Sequence, residues 1–153
     1  MKTISHTKNF EMPVPVADLF PLFSPEGETY WVPGWDYENV MDTTELSEDY
    51  VFLTKSHDHA SANALWIVKK YDPERHLVQF YKIEAQEKIG VITVKCSQKE
   101  PDKTEVQVTY KYMALSEAGA SFIDGFNENA YEEFIAEWQQ LLSKYFGSLN
   151  VRQ

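Results

Sequence analysis

The last part of the chain reads "GASFIDGFNENAYEEFIAEWQQLLSKYF" (residues 119–146), and this stretch decides the fold. At 100° per residue, its apolar side chains fall within one broad arc of a helix: Ile123, Ala130, Tyr131, Phe134, Ile135, Trp138, Leu141, Leu142 and Tyr145. The opposite arc is polar: Glu128, Glu132, Glu133, Gln139, Gln140 and Ser143. A stripe of this kind predicts a helix that packs along one side. We therefore expect one long helix of roughly 40 Å lying across a sheet.

The segment before this helix, residues 37–115, predicts the sheet. Five runs in it are rich in Val, Ile, Thr, Tyr and Phe, which favour strands: "DYVFLTK", "ALWIVKKY", "LVQFYKIE", "GVITVKC" and "TEVQVTYKYMAL". "DPER" (72–75) and "EPDK" (100–103) have proline at the second position of a turn. Connections this short join antiparallel neighbours, because a parallel crossover needs a dozen residues or more.

The start of the chain predicts a strand followed by two short helices. Residues 2–12 have the weak alternation of a first strand. "PVPVADLFPLF" (13–23) predicts a short helix that Pro21 ends or bends. "SPEGETYW" (24–31) predicts a second one, with Ser24 as N-cap and Pro25 at the first helical position. The fold class is therefore α+β.

Composition narrows the class of protein. A chain of 153 residues is most simply one domain, residues 1–153. A net charge of −10 argues against nucleic acid and against anionic membrane surfaces as partners. The chain has no run of 18 apolar residues and no signal-peptide pattern, and its one cysteine favours a cytoplasmic setting. Its six glycines form no phosphate-binding or dinucleotide motif, so no cofactor is predicted.

Four phrases carry a resemblance to a known superfamily: "LFSPEGETYWVPGW" (22–35), "LWIVKKYDPE" (65–74), "VTYKYMALSEAG" (108–119) and "FIAEWQQLL" (134–142). With the order of the elements, they resemble the START-like (SRPBCC) superfamily, in its polyketide cyclase/dehydrase-like branch. The resemblance implies a helix-grip fold, in which about six or seven antiparallel strands curve around the C-terminal helix. It also implies a cavity for small hydrophobic or amphipathic molecules. Family activities include ligand carriage, polyketide cyclisation and chaperone activation, and fold alone does not choose among them.

The segment "YWVPGWDYE" (30–38) is unusually aromatic for a loop. Pro33 and Gly34 suit a type II turn, which allows Trp31 and Trp35 to fold toward one surface. Two interpretations are open. The indoles close the hydrophobic core beneath the short helices, or they form a wall or lid of the cavity.

Further candidates lie on the sheet and on the helix. The predicted ligand-binding residues are Trp31, Trp35, Trp66, Tyr81, Tyr110, Tyr112, Asp124, Phe126, Asn127 and Tyr131. Tyr81 is the least determined, because its strand has apolar residues on both faces. Asp124 also fits a capping box with Ser121, whereas Asn127 is a polar residue within the apolar arc and needs a partner if buried.

Other reactive residues have simpler explanations. His57 and His59 are spaced like ligands on one strand face, but no third metal ligand is readable, and a hairpin loop explains them better. Cys96 shares a predicted strand face with Ile92 and Val94, which favours a core residue over a nucleophile. The sequence assigns no metal site and no catalytic residue.

Three functional hypotheses follow. The first is a module that binds a small hydrophobic or amphipathic ligand between sheet and helix. The second is a polyketide cyclase or dehydratase that uses the same cavity, with Asp124, Tyr110 or a histidine as acid or base. The third is a chaperone-activator-like interaction domain that uses the acidic helix face. The sequence fixes neither the ligand nor the oligomeric state.

Overall fold

The computed structural model describes residues 2–55 and 63–151. Its strands are β1 (Thr3–Met12), β2 (Tyr37–Asn39), β3 (Val51–Thr54), β4 (Ala64–Asp72), β5 (Leu77–Glu84), β6 (Lys88–Glu100) and β7 (Lys103–Ala114). Its helices are α1 (Val16–Leu19), α2 (Pro25–Glu28), α3 (Glu117–Gly125) and α4 (Glu128–Val151), with a 3-10 turn at Phe20–Leu22.

The strands form one seven-stranded antiparallel sheet in the order β1-β7-β6-β5-β4-β3-β2. Among the strands of the described residues, β1 alone leaves the sequential hairpin order, because it pairs with β7 through a register that places Thr3 opposite Met113. The register shifts between Val68 and Lys70, and between Gln98 and Glu100. Such irregularities bend and twist the strands that contain them. The predicted α+β helix-grip class is confirmed.

The two predicted short helices form as local sequence rules require. Ser24 caps α2, since its Oγ accepts a hydrogen bond from the Gly27 N–H at 2.9 Å, and Pro25 occupies the first helical position. Pro21 lies in the 3-10 turn between the two helices. Glycine is required at position 27 because a Cβ there would lie 2.3 Å from the Pro21 carbonyl oxygen.

The C-terminal helix differs from the prediction in being broken. Phe126 leaves helical geometry (φ −91°, ψ 58°) between α3 and α4. Asn127 restarts the helix, because its Oδ1 accepts a hydrogen bond from the Ala130 N–H at 2.8 Å. The N-cap of α3 is Ser116, so the predicted cap at Ser121 is wrong. The arrangement of side chains at 100° per residue did not reveal the break, because the apolar stripe continues on both sides of it.

Helix α4 packs on the concave face of the sheet. The Tyr131 hydroxyl donates a hydrogen bond to the Val108 carbonyl oxygen at 2.5 Å, and both Ile135 and Leu142 are fully buried. The Trp138 ring lies 6.2 Å from the Tyr110 ring on β7. Burial of a large apolar side chain contributes about 1.5–3 kcal/mol, so this stripe is a main source of stability.

Candidate ligand-binding site

The register of the sheet defines which side chains face α4. Tyr110 contacts α4, and residues directly opposite one another in antiparallel strands share a face. Tyr112 on β7 is opposite Gly90 on β6, Gly90 is opposite Lys82 on β5, and Lys82 is opposite Trp66 on β4. These residues therefore lie on the concave face, which we call the interior face.

Indole and phenyl rings cover one half of the interior face. The Trp66 ring stacks on Phe52 with centroids 5.4 Å apart and an interplanar angle of 14°. The Trp66 Nε1–H donates to Thr54 Oγ1 at 2.9 Å, so its polar edge is satisfied. Trp35 meets Trp66 edge-on at 6.1 Å and remains only half-buried. This half of the interior is an aromatic wall.

The aromatic loop joins the helix to this wall. Trp31 is buried against Trp138 of α4 at 5.5 Å, and its Nε1–H donates to the Leu22 carbonyl oxygen at 2.9 Å. The Trp35 Nε1–H donates to the Pro25 carbonyl oxygen at 2.8 Å while its ring turns to the sheet. Trp31 is therefore part of the hydrophobic core, whereas Trp35 is half-buried against Phe52 and Trp66 of the sheet.

Phenol and phenyl rings cover the other half. Tyr110 lies 5.3 Å from Phe134, and Tyr112 lies 5.5 Å from Phe126, the residue at the helix break. Tyr131 is buried between β7 and this break. Burial raises the pKa of the Tyr110, Tyr112 and Tyr131 phenols, so they are protonated at neutral pH.

Charged side chains lie between the two aromatic halves. Lys82 Nζ is 3.5 Å from Glu84 Oε1, and Lys88 Nζ is 2.9 Å from Glu84 Oε2. The side chains of Glu84 and Lys88 are each 7% exposed. Burial alone would raise the pKa of Glu84, but Lys82 and Lys88 outweigh it and lower the pKa. Glu84 is therefore an ionised carboxylate shared by two lysines.

Glu28 of α2 is a second acid that interacts with the charged groups of the interior face. It is the last residue of α2 and interacts electrostatically with both Lys82 and Tyr110. Burial raises its pKa to about 8, with a smaller opposing effect from Lys82. Burial likewise lowers the pKa of Lys82, and Glu84 partly offsets this.

Three predicted site residues lie elsewhere. Tyr81 is opposite Ile67 and Val91, so it lies on the outer face, where Lys69 Nζ is 5.1 Å from its ring. Asp124 is exposed and forms an ion pair with Lys2. Asn127 is exposed and caps α4. We therefore leave Tyr81, Asp124 and Asn127 out of the candidate site.

The sequence analysis missed the charged part of the interior. Its members are Glu28, Lys82, Glu84 and Lys88. The available signal was the even-numbered positions of β5, where Val78 and Phe80 precede Lys82 and Glu84 on one face. Lysines and acids in a half-exposed strand normally indicate the solvent side, which hid that signal.

The remaining reactive residues do not extend the site. Cys96 is buried, and burial raises the pKa of its thiol to about 12, which leaves it unreactive. Within residues 2–55 and 63–151, no group of three or more His, Cys, Asp or Glu side chains is placed to hold a metal ion. His57 and His59 lie outside the described residues. In the same two segments, no helix is both long and apolar enough to cross a membrane.

The chain has the helix-grip fold that the resemblance implies. It is similar to norcoclaurine synthase from Thalictrum flavum in complex with dopamine and hydroxybenzaldehyde, with a TM-score of 0.67 at 12% identity over 99% of this chain and 88% of that one. It is also similar to Ara h 8.0201, with a TM-score of 0.69 at 12% identity over 98% and 99% of the two chains.

A third similar structure is the di-domain ARO/CYC BexL from the BE-7585A biosynthetic pathway. Its TM-score is 0.64 at 13% identity, over 94% of this chain and 47% of that one. No protein-family model matches the sequence, and no curated protein matches it.

Proposed function

We propose that this protein binds a small hydrophobic or amphipathic molecule between the interior face of the sheet and helix α4. One observation carries the proposal: the partly accessible Lys82 and the buried Glu84 lie on an interior face that is otherwise walled by aromatic rings. An interior that served packing alone has little use for such groups, because desolvating a charge is costly. A few polar groups among aromatic walls are typical of ligand pockets.

Titration with N-phenyl-1-naphthylamine, a neutral probe that fluoresces in apolar surroundings, tests the proposal. We expect saturable binding of one equivalent. Trp66→Ala removes part of the wall and should weaken binding about tenfold, which corresponds to roughly 1.4 kcal/mol. Tyr81→Ala is the matched control, because it removes an aromatic ring from the outer face. Absence of saturable binding to the wild-type protein would refute the proposal.

A cyclase or dehydratase acting in the same interior is the alternative. Glu28, with its raised pKa, is largely a neutral acid near pH 7, and Lys82 lies within its electrostatic reach. General acid–base chemistry on a carbonyl compound needs such groups at the reacting atoms. Glu28→Gln would then lower the turnover rate at unchanged affinity, and binding without any turnover would favour simple ligand carriage.

A further inference from the structure

Two lysines of the interior, Lys82 and Lys88, share the single carboxylate of Glu84. Glu84 Oε2 lies 2.9 Å from Lys88 Nζ, whereas Lys82 Nζ lies 3.5 Å from Glu84 Oε1. Lys88 also lies 3.8 Å from Glu87, a partly exposed residue of the β5–β6 turn. Lys88 therefore forms ion pairs with two carboxylates, whereas Lys82, within the described part of the chain, forms an ion pair only with the carboxylate that it shares with Lys88.

The surroundings of Lys82 favour a flat aromatic ligand. Its Nζ lies 5.4 Å from the centre of the Trp66 ring, which stacks on Phe52. On its other side is Gly90, which has no side chain and lets the Tyr112 ring lie close to the sheet. The Lys82 ammonium group thus lies beside the Trp66 ring, whereas the Tyr112 ring on the far side of Gly90 has Lys88 Nζ 5.7 Å from its centre.

We infer that the interior binds an aromatic amphiphile with an anionic oxygen group, a carboxylate or sulfonate, that pairs with Lys82. The inference rests on the proposed function and names the ligand class of the same site. An anion supplies the counter-charge that Lys82 lacks, and charge-assisted hydrogen bonds are the strong ones.

Glu28 is compatible with an anionic ligand because of its protonation. Burial raises its pKa to about 8, so near pH 7 the carboxyl group is mostly neutral and does not repel an anion. Lys82 is the hydrogen-bond donor, and an acceptor oxygen of the ligand satisfies it. A cationic ligand is disfavoured because the positive charge of Lys82 would repel it.

Two probes that share an aromatic body test the inference. 8-Anilinonaphthalene-1-sulfonate carries an anionic group, and N-phenyl-1-naphthylamine lacks it. We expect Lys82→Met to weaken sulfonate binding about tenfold or more and to change binding of the neutral probe by less than about twofold. Lys82→Arg should restore most of the sulfonate affinity. Lys69→Met, the same change on the outer face, should alter neither probe.

The outcomes separate the two proposals. If neither probe binds the wild-type protein, the proposed function fails. If both bind and Lys82→Met affects them equally, or affects neither, the anionic-ligand inference fails while ligand binding stands. Near-ultraviolet circular dichroism establishes that each variant is folded, and Lys82→Gln replaces Lys82→Met if the latter does not fold.

A pH series on the wild-type protein gives a second readout that needs no Lys82 variant. As the pH rises through about 8, Glu28 becomes an anion, so the affinity for the sulfonate should fall relative to that for the neutral probe. Glu84, Glu87, Lys88, Tyr110 and Tyr112 also face this region, and burial lowers the pKa of Lys82, so Glu28→Gln is the variant that separates the effect of Glu28 from that of Lys82. Glu28→Gln should remove most of the fall, and an unchanged fall in Glu28→Gln would refute the role of Glu28.

Discussion

Helix α4 and strand β5 each turn one side to the interior, yet they fill that side differently. The inward side of α4 is apolar and aromatic, as in Ile135 and Trp138, and its acids point outward. The inward side of β5 begins in the same way with Val78 and Phe80, but continues with Lys82 and Glu84. The helix thus supplies stability, whereas the end of β5 accepts a desolvation cost, which is typical of functional positions.

The largest expected effect is on the helix side. Trp138→Ala removes a ring that contacts Trp31, Phe23 and Tyr110, and should lower the free energy of unfolding by about 3–5 kcal/mol. Urea denaturation measures this. Gln140→Ala, on the exposed side of α4, should change the same quantity by less than about 0.5 kcal/mol.

The charged end of β5 should respond next. Glu84→Gln leaves Lys82 and Lys88 without their shared carboxylate and should destabilise the protein by about 3 kcal/mol. The double variant Glu84→Gln, Lys88→Met should recover much of that loss, because one uncompensated charge is removed. Equal stability of the single and the double variant would contradict a shared ion pair.

The third effect depends on pH. The folded-state pKa of Glu28, about 8, is above its ordinary value of 4.5, so the native state holds this proton more tightly than the unfolded chain. Its contribution to stability is full below about pH 4.5 and is lost as the pH rises to about 8. Thermal unfolding from about pH 5 to pH 9 should therefore show a loss of up to about 4 kcal/mol, at about 1.36 kcal/mol per pKa unit, that Glu28→Gln abolishes. The same slope in both proteins would contradict a buried Glu28.

The smallest effect concerns the helix break. Asn127→Ala removes the cap of α4 and should cost about 1 kcal/mol. Asn129→Ala, two residues later and also exposed, is the matched control. Binding of either naphthyl probe should not change, and a specific loss of binding in Asn127→Ala would return Asn127 to the candidate site.

Periodic patterns predicted the fold because they report which side of an element is buried. The alternation of β7 and the stripe of α4 placed Tyr110, Tyr112 and Tyr131 correctly on the interior. Trp66 followed from its strand in the same way. The same logic failed for Asn127, because a polar residue at an apolar position also marks a helix start.

The charged interior was not predictable in this way. Lys82 and Glu28 are 54 positions apart in the chain and come within electrostatic reach of each other only in the folded protein. The local sequence pattern contains no information on which distant residues approach each other in the folded protein. Tyr81 was misplaced for a related reason, since apolar residues on both faces of β5 left its side undetermined.

The absence of a side chain at Gly90 makes this position a place where substitutions would change the space beside Lys82 and Tyr112. A methyl group there would lie 2.8 Å from Cε1 of Tyr112 and 3.6 Å from Cβ of Lys82. Even alanine would push the phenol ring aside, and larger substituents would progressively obstruct the space beside the lysine. If the protein binds a ligand here as proposed, a graded series of substitutions at position 90 would set the size of the ligand that can bind beside Lys82.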